Sequence, residues 1–109
     1  MTQSTPYLEE GMIMNAVTTQ GTALVTGASS GLGAVYADRL AARGFDLILV
    51  ARRVERLGVL AKSLADKYGV AVRAMAADLS APADLQRVAD ELASNPAITM
   101  LVNLSLIHI

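Results

Sequence analysis

Thr26-Gly27-Ala28-Ser29-Ser30-Gly31-Leu32-Gly33, TGASSGLG, is the stretch that decides the fold. Immediately before it runs Thr22 to Thr26 (TALVT), brief and rich in apolar and β-branched residues, as a strand buried on both faces should be. After it, Leu32, Tyr36 and Leu40 recur on one helical face, which predicts a helix from about Leu32 to Arg43 with Asp38, Arg39 and Arg43 turned to water. Gly44 supplies the C-terminal stop of that helix.

Outward from this unit the pattern repeats. Asp46 to Val50 (DLILV) reads as a second strand, and Leu57, Leu60, Ala61, Leu64 and Tyr68 mark a helix from Val54 to Tyr68 that Gly69 ends. Val70 to Ala76 reads as a third strand. Beyond Asp78 a helix is signalled by Ser80 as cap, Pro82 in the first turn and Leu85, Val88, Ala89 and Leu92 on one face, with Asn95 and Pro96 ending it. Ile98 to Val102 is the fourth strand. Strict alternation with short connections predicts a parallel sheet with right-handed crossovers and helices on both faces. The expected architecture is an α/β, Rossmann-type doubly wound sheet in the order 3-2-1-4.

The turn also carries chemistry. Its glycines, Gly27, Gly31 and Gly33, stand where the chain must turn tightly and where backbone must approach a bulky anion without a Cβ between. Amide N–H groups at the start of a helix are unpaired and lie at the positive end of its dipole, so they stabilise a pyrophosphate without Lys or Arg. Ser29 and Ser30 can add hydroxyl donors. A Gly/Ser turn chosen only for its conformation is the competing reading; the strand before and the helix after favour a nucleotide site.

The spacing Gly27-x3-Gly31-x-Gly33 within TGASSGLG resembles the cofactor motif of the short-chain dehydrogenases/reductases and differs from the GxGxxG of other Rossmann enzymes. The resemblance runs from about Thr22 to Asn103. Sites that prefer NAD place an Asp or Glu at the end of the second strand for the ribose 2′-hydroxyl. Here Ala51 stands there, followed by Arg52 and Arg53, so Arg52 is placed to hold a 2′-phosphate and NADP(H) is expected over NAD(H). Asp78-Leu79 resembles the family's Asp-hydrophobic pair, which holds the adenine; capping near Ser80 is the alternative role for Asp78. Asn103 resembles the first residue of the family's Asn-Asn-Ala-Gly, a pattern that Leu104 breaks. The expected cofactor-binding set is therefore Gly27, Ser29, Ser30, Gly31, Leu32, Gly33, Arg52, Asp78, Leu79 and Asn103.

The resemblance implies an oxidoreductase that moves hydride between NADP(H) and an alcohol or carbonyl, using an Asn, a Ser and a Tyr-x-x-x-Lys pair. The tyrosines of this chain are Tyr7, Tyr36 and Tyr68, and four residues beyond them stand Gly11, Leu40 and Val72, so no such pair is present and no catalytic residue is assigned. Tyr36 and Tyr68 are read as helix core. His108, the sole imidazole, has no Asp or Ser patterned around it and receives no acid/base role. The chain alone is expected to be inactive and its parent an enzyme without a nucleic-acid partner; the competing reading is a short, non-catalytic NADP(H)-binding or sensor protein.

Composition agrees with a buried, globular domain. Hydrophobic residues make up 53% and charged residues 17%, and nine basic against ten acidic groups give a net charge of -1, which offers no broad field to nucleic acid or anionic lipid. Without Cys and with a single His, thiolate chemistry is excluded and a zinc site disfavoured. MTQSTPYLEE has two acids and no base, unlike a signal peptide, so a cytoplasmic protein is expected. Residues 1–20 are read as a flexible leader in which Met12 and Met14 are alternative starts, and residues 21–103 as a partial NADP(H)-binding domain. Residues 104–109 (LSLIHI) can be written in codons as CTG TCT CTT ATA CAC ATC, which resembles the mosaic end of a transposase used to prepare sequencing libraries; they are read as a non-native tail. A small-molecule alcohol or carbonyl substrate, no membrane partner and a homo-oligomeric parent complete the expectation.

Overall fold

Strands and helices alternate along the chain in the computed structural model, which describes residues 20–28 and 30–104. The strands are β1 (Thr22–Thr26), β2 (Asp46–Ala51), β3 (Val72–Ala76) and β4 (Ile98–Asn103). Between them lie α1 (Gly31–Ala42), α2 (Val54–Tyr68) and α3 (Pro82–Ser94). The strands form one parallel sheet in the order β3-β2-β1-β4, the expected Rossmann-type arrangement. Tyr7, Met12, Met14, Ser29 and His108 lie outside the described residues, as do the leader except for Gln20 and the tail except for Leu104.

Successive side chains of the central strands feed two cores. Ala23, Val25, Leu47, Leu49 and Ala51 pack with Ala37, Leu40 and Ala41 of α1 and Leu57 and Leu64 of α2. The alternate residues Leu24, Ile48 and Val50 pack with Ala77 and with Val88 of α3. This division explains why TALVT and DLILV are apolar throughout: with helices on both sides, neither face of a central strand meets water. At the sheet's edge β4 differs, with Met100 and Leu101 exposed.

Gly44 and Gly69 take positive φ, 93° and 68°, at the helix ends where the sequence predicts stops. Several local expectations are corrected. β3 starts at Val72, because Gly69 is left-handed and Ala71 is still tied by its N–H to the Asp46 carboxylate at 2.9 Å; Val70 is buried without joining the strand. Ser80 does not cap α3. Pro82 sets the register by holding Ala81 extended (φ -94°, ψ 122°), so Ala81 becomes the N-cap. Leu32 and Tyr36 share a helical face as expected, but that face is exposed, while Ala37, Leu40 and Ala41 carry the contact with the sheet. Leu85 and Ala89 are likewise exposed, leaving Val88 and half-buried Leu92 to anchor α3. Tyr68 is half-buried, and its hydroxyl donates to Asp38 Oδ1 at 2.9 Å, which draws Asp38 out of the purely solvent-facing role expected of it.

No helix among the described residues is long and apolar enough to cross a membrane, and no group of three or more acidic, His or Cys side chains among them is placed to hold a metal ion.

Candidate functional site

At the C-terminal ends of β1, β2 and β3 the connecting segments surround a cleft of about 360 Å³. Gly27, Ser30, Ala51, Arg52, Asp78 and Leu79 are among its lining residues, so five positions that the sequence singles out (Gly27, Ser30, Arg52, Asp78 and Leu79) converge there. Parallel topology causes the convergence, since every strand of such a sheet delivers its exit loop to the same edge.

The turn after β1 is built by backbone. Gly27 takes φ 72°, a conformation costly for any side chain with a Cβ. Ala28 N–H donates to the Val50 carbonyl at 3.2 Å, which ties the turn to the end of β2. Ser30 is the N-cap of α1: its hydroxyl donates to the Gly27 carbonyl at 2.9 Å and accepts from Gly33 N–H at 3.0 Å. The Ser30 hydroxyl hydrogen is thus engaged within the turn instead of facing the cleft. The N–H groups of Gly31 and Leu32 have no partner among the described residues and open the helix at its positive end.

Each of the other glycines has its own reason. A Cβ on Gly33 would collide with the Gly27 carbonyl oxygen and come within 2.7 Å of Ala28 Cα, so Gly33 lets helix and turn touch. A Cβ on Gly31 would meet nothing within 4 Å, so Gly31 leaves space free beside the open amides. Its φ is not in the positive range, so strain there is not part of its role.

At the end of β2, Ala51 is buried while Arg52 and Arg53 are exposed. Arg53 is the N-cap of α2 and makes no side-chain cap. Across the cleft, Asp78 Oδ1 accepts from the Ser80 hydroxyl at 2.6 Å and from Ser80 N–H at 3.0 Å. These bonds, the hydroxyl's first, hold the Asp78 carboxyl below its ordinary range, and the positive charge of Arg52 adds to the effect. Leu79 packs against the core beneath α3.

Asn103 closes β4 beside Thr26, whose hydroxyl donates to Asn103 Oδ1 at 2.7 Å. Leu104 follows, its N–H donating to the Thr26 carbonyl at 3.3 Å and to Thr26 Oγ1 at 3.2 Å, and it is among the residues that line the cleft. Gly31, Leu32, Gly33 and Asn103 stand next to the cleft without lining it. One residue the sequence reading passed over is Asp84, whose carboxylate accepts from Asp78 N–H at 2.8 Å. An acid in the first turn of a predicted helix, close after Asp78, was its only signal.

A parallel sheet in this order, with a glycine turn at a helix N-terminus and exit loops around one cleft, defines a Rossmann-type α/β unit. The chain belongs to the short-chain dehydrogenase family, whose profile matches residues 21–105. Among curated relatives, the very-long-chain 3-oxoacyl-CoA reductase of Meyerozyma guilliermondii is 40% identical over 83 residues, covering 74% of this chain and 24% of that protein. The inactive hydroxysteroid dehydrogenase-like protein 1 of Homo sapiens is 38% identical over 81 residues, with coverage of 74% and 24%. Solved structures agree. A short-chain dehydrogenase from Sphingobium yanoikuyae in complex with NADPH is 54% identical with a TM-score of 0.73, covering 74% of this chain and 32% of that one. The bulky-bulky ketone specific alcohol dehydrogenase of Comamonas testosteroni is 44% identical with a TM-score of 0.75, covering 77% and 34%. The chain therefore spans about a quarter of the length of these curated relatives.

Proposed function

We propose that this chain binds the adenosine and pyrophosphate portion of NADP(H), and that the whole protein is a cytoplasmic, homo-oligomeric oxidoreductase acting on an alcohol or carbonyl. The observation that carries the cofactor reading is that two open amides, Gly31 and Leu32, follow β1 while Arg52 follows its neighbour β2, at the same edge of the sheet. The residues present fit such a group. The amides and the space beside Gly31 suit a pyrophosphate, Arg52 suits a 2′-phosphate in the absence of a carboxylate at Ala51, and Asp78 with Leu79 suits an adenine edge. Gly27 and Ser30 line that pocket, Gly33 and Asn103 stand behind it, and Ser29 is assigned to the same cofactor by the motif alone. When bound, the cofactor supplies hydride chemistry.

Support for NADP(H) over NAD(H) comes from Arg52 and from the relative whose structure was solved with NADPH. Turnover is a separate matter, because no Tyr-x-x-x-Lys occurs in the 109 residues and the relatives include both reductases and a protein named inactive. Titration of the chain with NADPH, NADH and 2′,5′-ADP tests the binding reading: NADPH and 2′,5′-ADP should bind with similar affinity and NADH more weakly. Absence of binding by all of them overturns it. The second reading, a non-catalytic NADP(H)-binding or sensor protein, is favoured if the whole protein binds NADPH and yet reduces no carbonyl.

A further inference from the structure

The turn that bears Asp78 and Leu79 is held from behind by a side-chain relay that does not line the cleft. Asp84 Oδ2 accepts from Asp78 N–H at 2.8 Å. Arg87, on the same face of α3, donates from Nη1 to Asp84 Oδ1 at 3.2 Å and to the Ala76 carbonyl at 3.1 Å. The last residue of β3, the turn and the start of α3 are thereby tied through one carboxylate and one guanidinium.

Local sequence explains the arrangement. Ala81, the N-cap of α3, has no side-chain acceptor, and the acidic residue of the first turn reaches past it to Asp78. Ala81 N–H donates to the Asp78 carbonyl at 2.9 Å, so Asp78 is held at its N–H by Asp84, at its C=O by Ala81 and at its carboxylate by Ser80. The side chains of Asp84 and Arg87 are 32% and 53% exposed, too wet for their ion pair to add much to global stability. Fixing one residue at a cleft edge is the use left for such a network.

We propose that Asp84 and Arg87 are positioning residues for the adenine side of the site, acting through the backbone of Asp78. This inference rests on the nucleotide reading above. It separates them from Arg52: adenine is common to both dinucleotides, whereas the 2′-phosphate belongs to one.

The test titrates the full 109-residue chain and its variants with NADPH, NADH and inorganic pyrophosphate, with thermal melting alongside. Asp84→Ala should weaken NADPH and NADH by the same factor, about tenfold for the loss of one hydrogen bond to a charged group, and leave pyrophosphate binding unchanged. Asp84→Asn retains an acceptor for Asp78 N–H and should restore affinity to within about twofold of the starting chain. Should Asp84→Ala fail to fold, Arg87→Gln carries the same test with an equal loss for both dinucleotides expected. Wild-type affinity in the folded variants, or a loss shared by pyrophosphate, overturns the proposal. A starting chain that binds none of the three ligands overturns the nucleotide reading and this inference together.

Discussion

Thr26 and Asn103, at the C-terminal ends of neighbouring parallel strands, are joined by a hydroxyl-to-amide hydrogen bond of 2.7 Å that fixes the exit of β4 against the start of the glycine turn. Thr26 is nearly fully buried at 3% exposure, so its hydroxyl has little access to water as an alternative partner. Replacement of Thr26 by Val keeps the shape and removes both the donor to Asn103 and an acceptor for Leu104 N–H. The expected cost is about 1 to 2 kcal/mol in urea unfolding, with Thr26→Ser close to the parent. Equal stability of Thr26→Val and the parent would show that the bond holds nothing in place.

In the proposed function Arg52 sets the choice of cofactor. Arg52→Ala should weaken NADPH by about tenfold or more while leaving NADH nearly unchanged, because only the former carries a phosphate for the guanidinium to meet. Isothermal titration with both cofactors decides it, and equal losses would remove Arg52 from the site.

The glycines of the turn should separate folding from binding. Gly33→Ala forces a Cβ into the Gly27 carbonyl and is expected to destabilise the fold by about 1 to 3 kcal/mol. Gly31→Val places its side chain in open space, so the variant should melt with the parent yet lose NADPH affinity. A Gly31→Val chain that keeps both stability and affinity would show that the anion sits elsewhere.

Acid should open the turn at Asp78 only well below neutrality. The Ser80 hydroxyl, then Ser80 N–H, hold this carboxyl below its ordinary value of 3.8, with Arg52 adding to the effect. For an acid whose folded pKa is depressed, the ordering it provides is complete above that ordinary value and disappears as pH falls through the lower folded one. Ser80→Ala should move the titration back up towards 3.8, as followed by the Asp78 carboxyl carbon signal in NMR. An unmoved titration would assign the shift to another cause.

The edge of the sheet predicts self-association. Leu101 is 51% exposed on β4, and Leu32 and Tyr36 are exposed on the adjoining helix α1. Light scattering should show mass rising with concentration, and Leu101→Lys, a charge on an edge strand, should suppress it. An unsubstituted 109-residue chain that stays monomeric at all concentrations contradicts this.

Much of the architecture was legible because burial on both faces leaves an unmistakable pattern. TALVT and DLILV are uninterrupted apolar runs, and Gly44 and Gly69 stop their helices by a backbone conformation that few other residues adopt easily. The helix faces were harder to read. Leu32, Tyr36 and Leu40 repeat at the same spacing, yet only Leu40 is buried, because periodicity reports a shared face without saying what covers it. The lining of the candidate cleft was legible through Gly27, Ser30, Arg52, Asp78 and Leu79, whereas the contacts of Asp84 and Arg87 behind it were not, because no local spacing marks a side chain that reaches a backbone amide in the preceding turn.

What the sequence by itself determined is the order of elements, the parallel sheet and the place of the glycine turn, since these follow from hydrophobic period, turn residues and the handedness of crossovers, all local properties of the chain. Only the tertiary structure decided that the Ser30 hydroxyl caps its own helix, that Ala81 and not Ser80 is the N-cap of α3, that Tyr36 faces water, and that Thr26 meets Asn103 across 77 positions. Those outcomes depend on which groups arrive at the same point in space, where a donor takes the acceptor that packing leaves within about 3 Å of it.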